Sequence, residues 1–444
     1  MRNRQSVKKI GKVFLVLFFL MILSDRAHAQ GEGCEELSLR QAVDVAMENN
    51  PGLAAIRSRY NALATVPSQQ STLPDPVLSL GAVNLPTDTF NLDQENMTQM
   101  QIGISQKFPF PGKLGLKEES AQFEAEAALQ QVDEARLTLI KNTRSTWWDI
   151  FYLQKNLEII QSNQDLLRAT VAAARAKYEV GKGLQQDVLL AQVELTKLMD
   201  RESTVTTALE KKKAALEVLL DRAVDNRCFT IADQSVSLNL PSILPLATLQ
   251  EMSLSSRPGL LALERKTDAS KSRIALARKE YYPDFTVGAA YGFRQDTADG
   301  LDRSDFASLR LSMNLPIWSN SKQDKAVAQR TSEALAAKRE LHDFKNKVFS
   351  EISSEFSEFT NTSWQSELLH SSLIPQAEQT AAAMLKGYQV NKVDFLNVVR
   401  AQLALYSYKI TYWYHLSNTF KALARLEAAT GTDPLVYEEN SNEQ

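Results

Sequence analysis

Apolar residues recur in alternating steps of three and four from Ile150 to Tyr178, through Leu153, Leu157, Ile160, Gln164, Leu167, Val171 and Ala174. Such spacing is the seam of a helix built to pack along its length against another helix. Glu179-Val180-Gly181-Lys182-Gly183 follows, and its two glycines can take the left-handed angles of a sharp reversal. The seam restarts at Leu184 and runs through Val188, Ala191, Leu195, Leu198, Glu202, Val205 and Leu209 to Leu216 and Leu219. The pattern predicts two long antiparallel helices, a coiled-coil hairpin over 113–222. Residues 386–427 supply a second turn and return helix.

The doubling extends along the chain. Asn50-Pro51-Gly52-Leu53 returns as Arg257-Pro258-Gly259-Leu260, and Leu73-Pro74-Asp75 as Tyr282-Pro283-Asp284, shifts of 207 and 209 residues. Pro109 answers Pro316, Tyr178 answers Tyr388, and Ala191-Gln192 answers Ala401-Gln402. Each half reads short helix, helix, strand, strand, long helix, turn, long helix. The expected division is a first repeat over 30–236 and a second over 237–431, the latter with its hairpin at 319–430, then a tail over 432–444. In the first repeat the short helices are Leu39–Glu48 and Leu53 to about Gln70.

Between the short and long helices the period changes to two. Met100, Ile102 and Ile104 alternate with Gln99, Gln101 and Ser105, and Lys107 continues the polar row. In the second repeat Leu309, Leu311 and Met313 alternate with Ser308, Arg310 and Ser312, while Arg294 ends the strand before them. The expected strands are 77–85, 99–108, 284–294 and 306–315. Strands of about ten residues suit a tilted transmembrane β-strand, with a half-buried soluble sheet the alternative. Four strands cannot close a barrel, and lipid forbids a free sheet edge. Three copies would give about twelve strands and leave a lumen. Gln101, Ser105, Lys107, Arg294, Ser308, Arg310 and Ser312 would line it. The fold expected is mainly α with a small transmembrane β part. Its homotrimer would form a 12-stranded β-barrel continued by a 12-helix α-barrel.

Charge and chemistry narrow the function. Arg2, Arg4, Lys8 and Lys9 precede an apolar run from Val13 to Leu23 and then Ala27-His28-Ala29, a secretory signal peptide over 1–29. The remaining chain is acidic, a poor match to nucleic acid. An exported chain can form disulfides. A Cys34–Cys228 bridge is expected, with two unpaired thiols the alternative. No phosphate loop or nucleophile motif is present, and His342, His370 and His415 are scattered along helices. No enzyme activity, cofactor or metal site is expected.

These residues resemble the TolC-type outer-membrane efflux family. The resemblance covers Leu37 to Gly431 and rests on the order of elements and on two hairpin tips, Tyr178-Glu179-Val180-Gly181 and Tyr388-Gln389-Val390-Asn391. Phe108-Pro109-Phe110-Pro111-Gly112-Lys113-Leu114 looks like the version in heavy-metal efflux members. The resemblance implies a trimeric exit channel embedded in outer-membrane lipid and extending through the periplasm of a Gram-negative bacterium. It implies docking to a periplasmic adaptor and an inner-membrane RND pump, for export of metal cations or small toxic compounds. The docking tips would be Tyr178, Val180, Gly181, Lys182, Tyr388, Val390, Asn391 and Lys392, and the gate Asp187, Asp394, Asn397 and Arg400. Relatives often carry acids where Asn397 and Arg400 stand, which leaves the charge of the gate open. An exit duct for type I protein secretion is the same-fold alternative. A periplasmic coiled-coil adaptor or scaffold is the other.

Overall fold

The computed structural model describes residues 35–222, 229–231, 240–297, 299–432 and 435. The signal peptide and both cysteines of the expected bridge lie outside the described residues. In chain order, β1 (Glu35–Leu37) leads into α1 (Leu39–Asn49). A capping box starts this helix: the Gln41 N–H donates to Ser38 Oγ, and Gln41 Oε1 accepts the Ser38 N–H at 2.9 Å. Asn50 Oδ1 accepts the Leu53 N–H and caps α2 (Pro51–Ala64). The single helix expected to reach Gln70 is broken, and α3 (Val66–Ser71) stands apart. Pro67 has no N–H to offer the Leu63 carbonyl, and the Thr65 N–H turns back to the Ala62 carbonyl at 3.4 Å.

Strands β2 (Val77–Val83) and β3 (Gln99–Phe108) follow, then α4 (Lys113–Glu179) and its return helix α5 (Gln185–Leu220). After β4 (Phe229–Ile231), the order repeats as α6 (Leu246–Ser256), α7 (Pro258–Lys279), β5 (Phe285–Phe293) and β6 (Phe306–Met313). The second outgoing helix is not continuous as the repeat predicts. It runs as α8 (Gln323–Leu368), a π-helical turn at Leu369–Leu373, and α9 (Ile374–Gln389), before the return helix α10 (Phe395–Thr430). The Ile374 N–H reaches back to the Leu369 carbonyl, because Pro375 next to it cannot continue an α-helical ladder.

Two compact units share this chain. Among the described residues, one comprises 35–46 and 146–231, the other 47–145 and 240–435. In the first, β1 and β4 pair in parallel, a contact too short to leave a period in the sequence. The Trp147 indole N–H donates to the Leu37 carbonyl at 3.1 Å, and Trp147, Trp148 and Phe151 pack as one buried aromatic cluster. The predicted seam is buried at Ile150, Ile160, Leu167 and Ala174 on α4, and at Ala191, Leu198, Val205, Leu209 and Leu216 on α5. One polar layer interrupts it, where Gln161 and Gln164 donate to the two oxygens of Glu202 at 3.1 and 2.7 Å. Those bonds hold the Glu202 carboxyl below its usual range. A polar layer of this kind penalises a slip of one helix past the other.

The second unit holds the four-stranded antiparallel sheet, in the order β2-β3-β5-β6. Its helical core is the cluster Leu249, Leu260, Val348, Ile352, Leu426 and Ala429. At the start of α7, Arg257 replaces the capping Asn50 of the first repeat, and the cap comes from elsewhere. Glu134 accepts the Gly259 N–H at 3.0 Å and the Arg257 guanidinium at 2.6 Å, and Arg257 also donates to the Ala428 carbonyl.

Candidate functional site: a polarised sheet, a charged junction and two hairpin tips

Register sorts the sheet into two faces, since residues directly opposite one another share a face. Leu78, Ile104, Ala289 and Leu309 form one cross-strand row, and Leu80, Ile102, Tyr291 and Ala307 the next. The other face carries Val77, Ser105, Gly288 and Arg310 in one row and Lys107, Thr286 and Ser312 in another. Gln101 and Ser308 share that polar face, opposite Gly292 and Ala290. The apolar rows are exposed: Leu309 shows 89% of its surface, and Leu78, Leu80, Ile104 and Leu311 more than half. A sheet in water buries its apolar face. This one is built for an apolar solvent, and among the described residues no strand pairs with the outer edge of β2 or of β6.

Arg294 lies just past β5 and serves the loops at that end of the sheet. It donates to the Ser304 and Asn96 carbonyls at 3.0 and 2.6 Å, and its guanidinium lies over Phe306. Arg303 joins the same two loops, donating to Asp93 and Glu95 carbonyls and to Asn96 Oδ1.

At the opposite end, where strands hand over to helices, is a charged junction that periodicity gives no sign of. Gly112 sits at φ +87°, a left-handed angle, and delivers Lys113 as the first residue of α4. The Lys113 side chain is 2% exposed and donates to Asp284 Oδ1 at 2.8 Å, the Tyr282 carbonyl at 3.1 Å and Glu280 at 3.2 Å. Asp284 also accepts the Phe110 N–H and pairs with Lys107 at 3.1 Å. Burial alone would raise the Asp284 pKa, but Lys113, the Phe110 N–H and Lys107 outweigh it and hold the carboxyl at about 2. Phe110 stacks on Tyr282 at 4.5 Å with Lys279 over both rings. The Phe-Pro-Phe-Pro-Gly-Lys stretch therefore ties the start of α4 to the chain entering β5. A doubled Pro-Asp and a Gly-Lys of opposite charge were the only sequence signal for it.

Both tips are the same backbone turn. In the first, the N–H groups of Val180, Gly181 and Lys182 bond to the carbonyls of Ala176, Tyr178 and Lys177. In the second, Val390, Asn391 and Lys392 bond to Lys386, Tyr388 and Gly387. Gly181 and Asn391 take the left-handed position, at φ 70° and 59°. Val180 and Val390 are exposed at both tips. Tyr178 is 46% exposed, whereas Tyr388 is 9% exposed and packs edge-on against the buried Phe395. Of the gate residues, Asp187 lies in the first turn of α5, Asp394 stands immediately before α10 without a side-chain capping bond, and Asn397 and Arg400 follow on the exposed side of α10.

Among the described residues no three His, Cys, Asp or Glu side chains converge as a metal site. His370 stacks on Tyr412 at 5.3 Å, and burial pushes the His415 imidazole down.

The outer membrane efflux protein model matches residues 42–222 and 249–432, both repeats and nearly all their helices. The chain belongs to the outer membrane efflux protein family. It is 22% identical over 409 residues to the cobalt-zinc-cadmium resistance protein CzcC of Cupriavidus metallidurans, covering 90% of this chain and 91% of that one. It is 25% identical over 302 residues to the toluene efflux pump outer membrane protein TtgF of Pseudomonas putida, covering 63% and 59%. Its fold matches the crystal structure of CusC with a TM-score of 0.75 at 15% identity, over 91% and 96% of the two chains. The protein is an outer membrane efflux channel component and not an enzyme. Its sheet is accordingly the membrane-facing part, which accounts for the exposed leucines.

Proposed function

We propose that three copies of this chain close one barrel and serve as the exit duct of a tripartite pump, expelling metal cations or small toxic compounds. The observation that carries this reading is the open sheet with one exposed apolar face and, among the described residues, no strand beyond either edge. Closing that sheet in lipid demands further copies. The polar face, with Gln101, Ser105, Lys107, Ser308, Arg310 and Ser312, then lines the lumen. The gate is assigned to Asp187, Asp394, Asn397 and Arg400. Metal cations are favoured as cargo by the near full-length likeness to CzcC.

A periplasmic adaptor, itself joined to an inner-membrane RND pump, docks on the tips. Tyr178, Val180, Gly181 and Lys182 form one tip, and Tyr388, Val390, Asn391 and Lys392 the other. The first gives the stronger anchor, because Tyr178, Val180 and Leu184 are all exposed there. Exposed aromatic and aliphatic side chains around a basic group suit the core of a protein interface.

The test is the double change Tyr178→Ala with Val180→Ser, made in cells that keep their own adaptor and pump. Zinc, cobalt or cadmium tolerance should fall severalfold while the protein stays in the outer membrane as a trimer. Unchanged tolerance to metals together with lost tolerance to toluene would move the cargo to small apolar toxicants. Unchanged tolerance to both would remove the first tip from docking. A stable monomer in the periplasm, soluble without detergent, would overturn the channel.

A further inference from the structure

We infer that Lys322 of one copy forms an ion pair with Asp75 of the partner subunit, closing each seam of the barrel at its helical end. The inference rests on the assembly proposed above and names its contact. Its basis is the chain's own duplication. Inside one chain, β3 lies beside β5. That seam joins the second strand of the first repeat to the first strand of the second. Between copies, the open edges are β6 and β2, again a second strand and a first strand. One repeat-to-repeat seam is therefore visible, and the other is its counterpart.

The visible seam is locked by Lys113 and Asp284. The 209-residue shift that carries Asp284 back to Asp75 carries Lys113 forward to Lys322; the shift is 207 as far as Phe110 and Ile317, and two extra residues before Lys322 make up the difference. The local settings correspond. Asp75 and Asp284 each follow a proline shortly before a strand, and Lys113 and Lys322 each stand at the start of a long outgoing helix. What differs is the surroundings. Lys113 is buried on its partner, whereas Asp75 and Lys322 are both exposed, and neither side chain makes an ion pair or hydrogen bond among the described residues.

The apolar companions show the same split. Phe110 stacks on Tyr282 within the chain. The matching positions hold Ile317, with Trp318 next to it, on one edge and Leu73 on the other, exposed at 70, 71 and 43%. Two opposite charges and three apolar side chains thus stand exposed on the two edges of one sheet, in the arrangement that is matched at its centre. Only a second copy of this chain supplies both halves. The intersubunit lock carries one cation fewer, since the counterpart of Lys107 is Asn314.

The experiment compares the wild-type protein in detergent with Asp75→Lys, Lys322→Asp and the double exchange, following dissociation of the trimer on unheated gels. Each single change places like charges at all three seams and should speed dissociation about tenfold. The double exchange should restore the wild-type rate. In parallel, carbodiimide treatment of wild-type trimers mixed from isotopically light and heavy chains should yield a mixed-label peptide joining Asp75 to Lys322. A wild-type trimer whose variants dissociate alike, and which yields no such peptide, overturns the pair alone. A wild-type monomer overturns the assembly and the pair with it.

Discussion

At residues 176–184 and 386–394 the chain makes one turn twice, with matching hydrogen bonds, yet fills it in opposite ways. In the first turn Gly183 leaves room for Lys177, whose Cβ lies 3.0 Å from where a glycine substituent would stand. In the second the glycine is on the outgoing helix, α9. Gly387 leaves room for Val393, whose Cγ2 lies 2.5 Å from the corresponding point. Small and large have changed places across one contact. Phe395, where the first tip has Gln185, then draws Tyr388 inward and leaves Tyr178 without an aromatic cover. Backbone hydrogen bonding fixes what a hairpin tip is, and a few side chains decide what it can hold.

The outgoing helices differ more strongly. Helix α4 runs unbroken for 67 residues, while its counterpart is interrupted by the π-helical turn ahead of Pro375. The position matching Pro375 is Asp165, an exposed residue paired with Arg168 at 2.6 Å. Asp165→Pro should import the break and cost about 3 kcal/mol, because it removes a hydrogen bond and forces a ring against the preceding turn. Hydrogen exchange near residue 161 should accelerate accordingly. The converse change, Pro375→Ala, should slow exchange between 371 and 376 by restoring a donor. If neither rate moves, proline is not what separates the two hairpins.

A second contrast lies at the strand-to-helix junctions, where Asp284 is buried on Lys113 and Asp75 is exposed. Lys113→Ala should cost about 2–3 kcal/mol, less than a fully orphaned buried charge because Lys107 and the Phe110 N–H remain on the carboxylate. Lys322→Ala should leave the stability of a single protomer within about 0.5 kcal/mol. The pH dependence has a definite sign. Asp284 is lowered from 3.8 to about 2 on folding, so its contribution is complete above 3.8 and is lost as pH falls through about 2. Acid unfolding of the sheet junction should therefore begin at higher pH in Lys113→Ala. Coincident acid transitions would show that the carboxylate is held by its other partners.

Much of this was legible in the residues. The steps of three and four became buried seams at Ile160, Leu167, Leu198 and Leu216, and the alternation at Met100 to Ile104 became a strand with its apolar side out. Both are periodic signals repeated over many residues, which is why they survive local exceptions. The features that escaped are single events. Pro67 splits one helix and Pro375 another, and each acts through one missing donor. Lys113 is one residue whose partners come from about 170 positions away. Tyr178 and Tyr388 match in sequence, and only the neighbour at 185 or 395 sets them apart. Duplication shows which positions correspond, but not which contacts each copy kept.

The smallest effect tests how far the two turns are interchangeable. Gly181 and Asn391 occupy the same left-handed position, 70° and 59° in φ. Most residues lose roughly 1–2 kcal/mol there from the clash of Cβ with the following carbonyl, while asparagine offsets part of it through local hydrogen bonding. Glycine avoids the clash but gives up more chain entropy on folding, about 0.5–1 kcal/mol. The two choices therefore nearly cancel. Gly181→Asn and Asn391→Gly should each shift thermal stability by no more than about 0.5 kcal/mol, and metal tolerance should be unaffected. Gly181→Val should cost more than 1 kcal/mol, since a branched side chain is the worst occupant of that angle. Cells carrying Gly181→Asn that lose tolerance while the protein remains folded would show that the glycine is needed by the docking partner, which would have to approach the backbone where any side chain stands in its way.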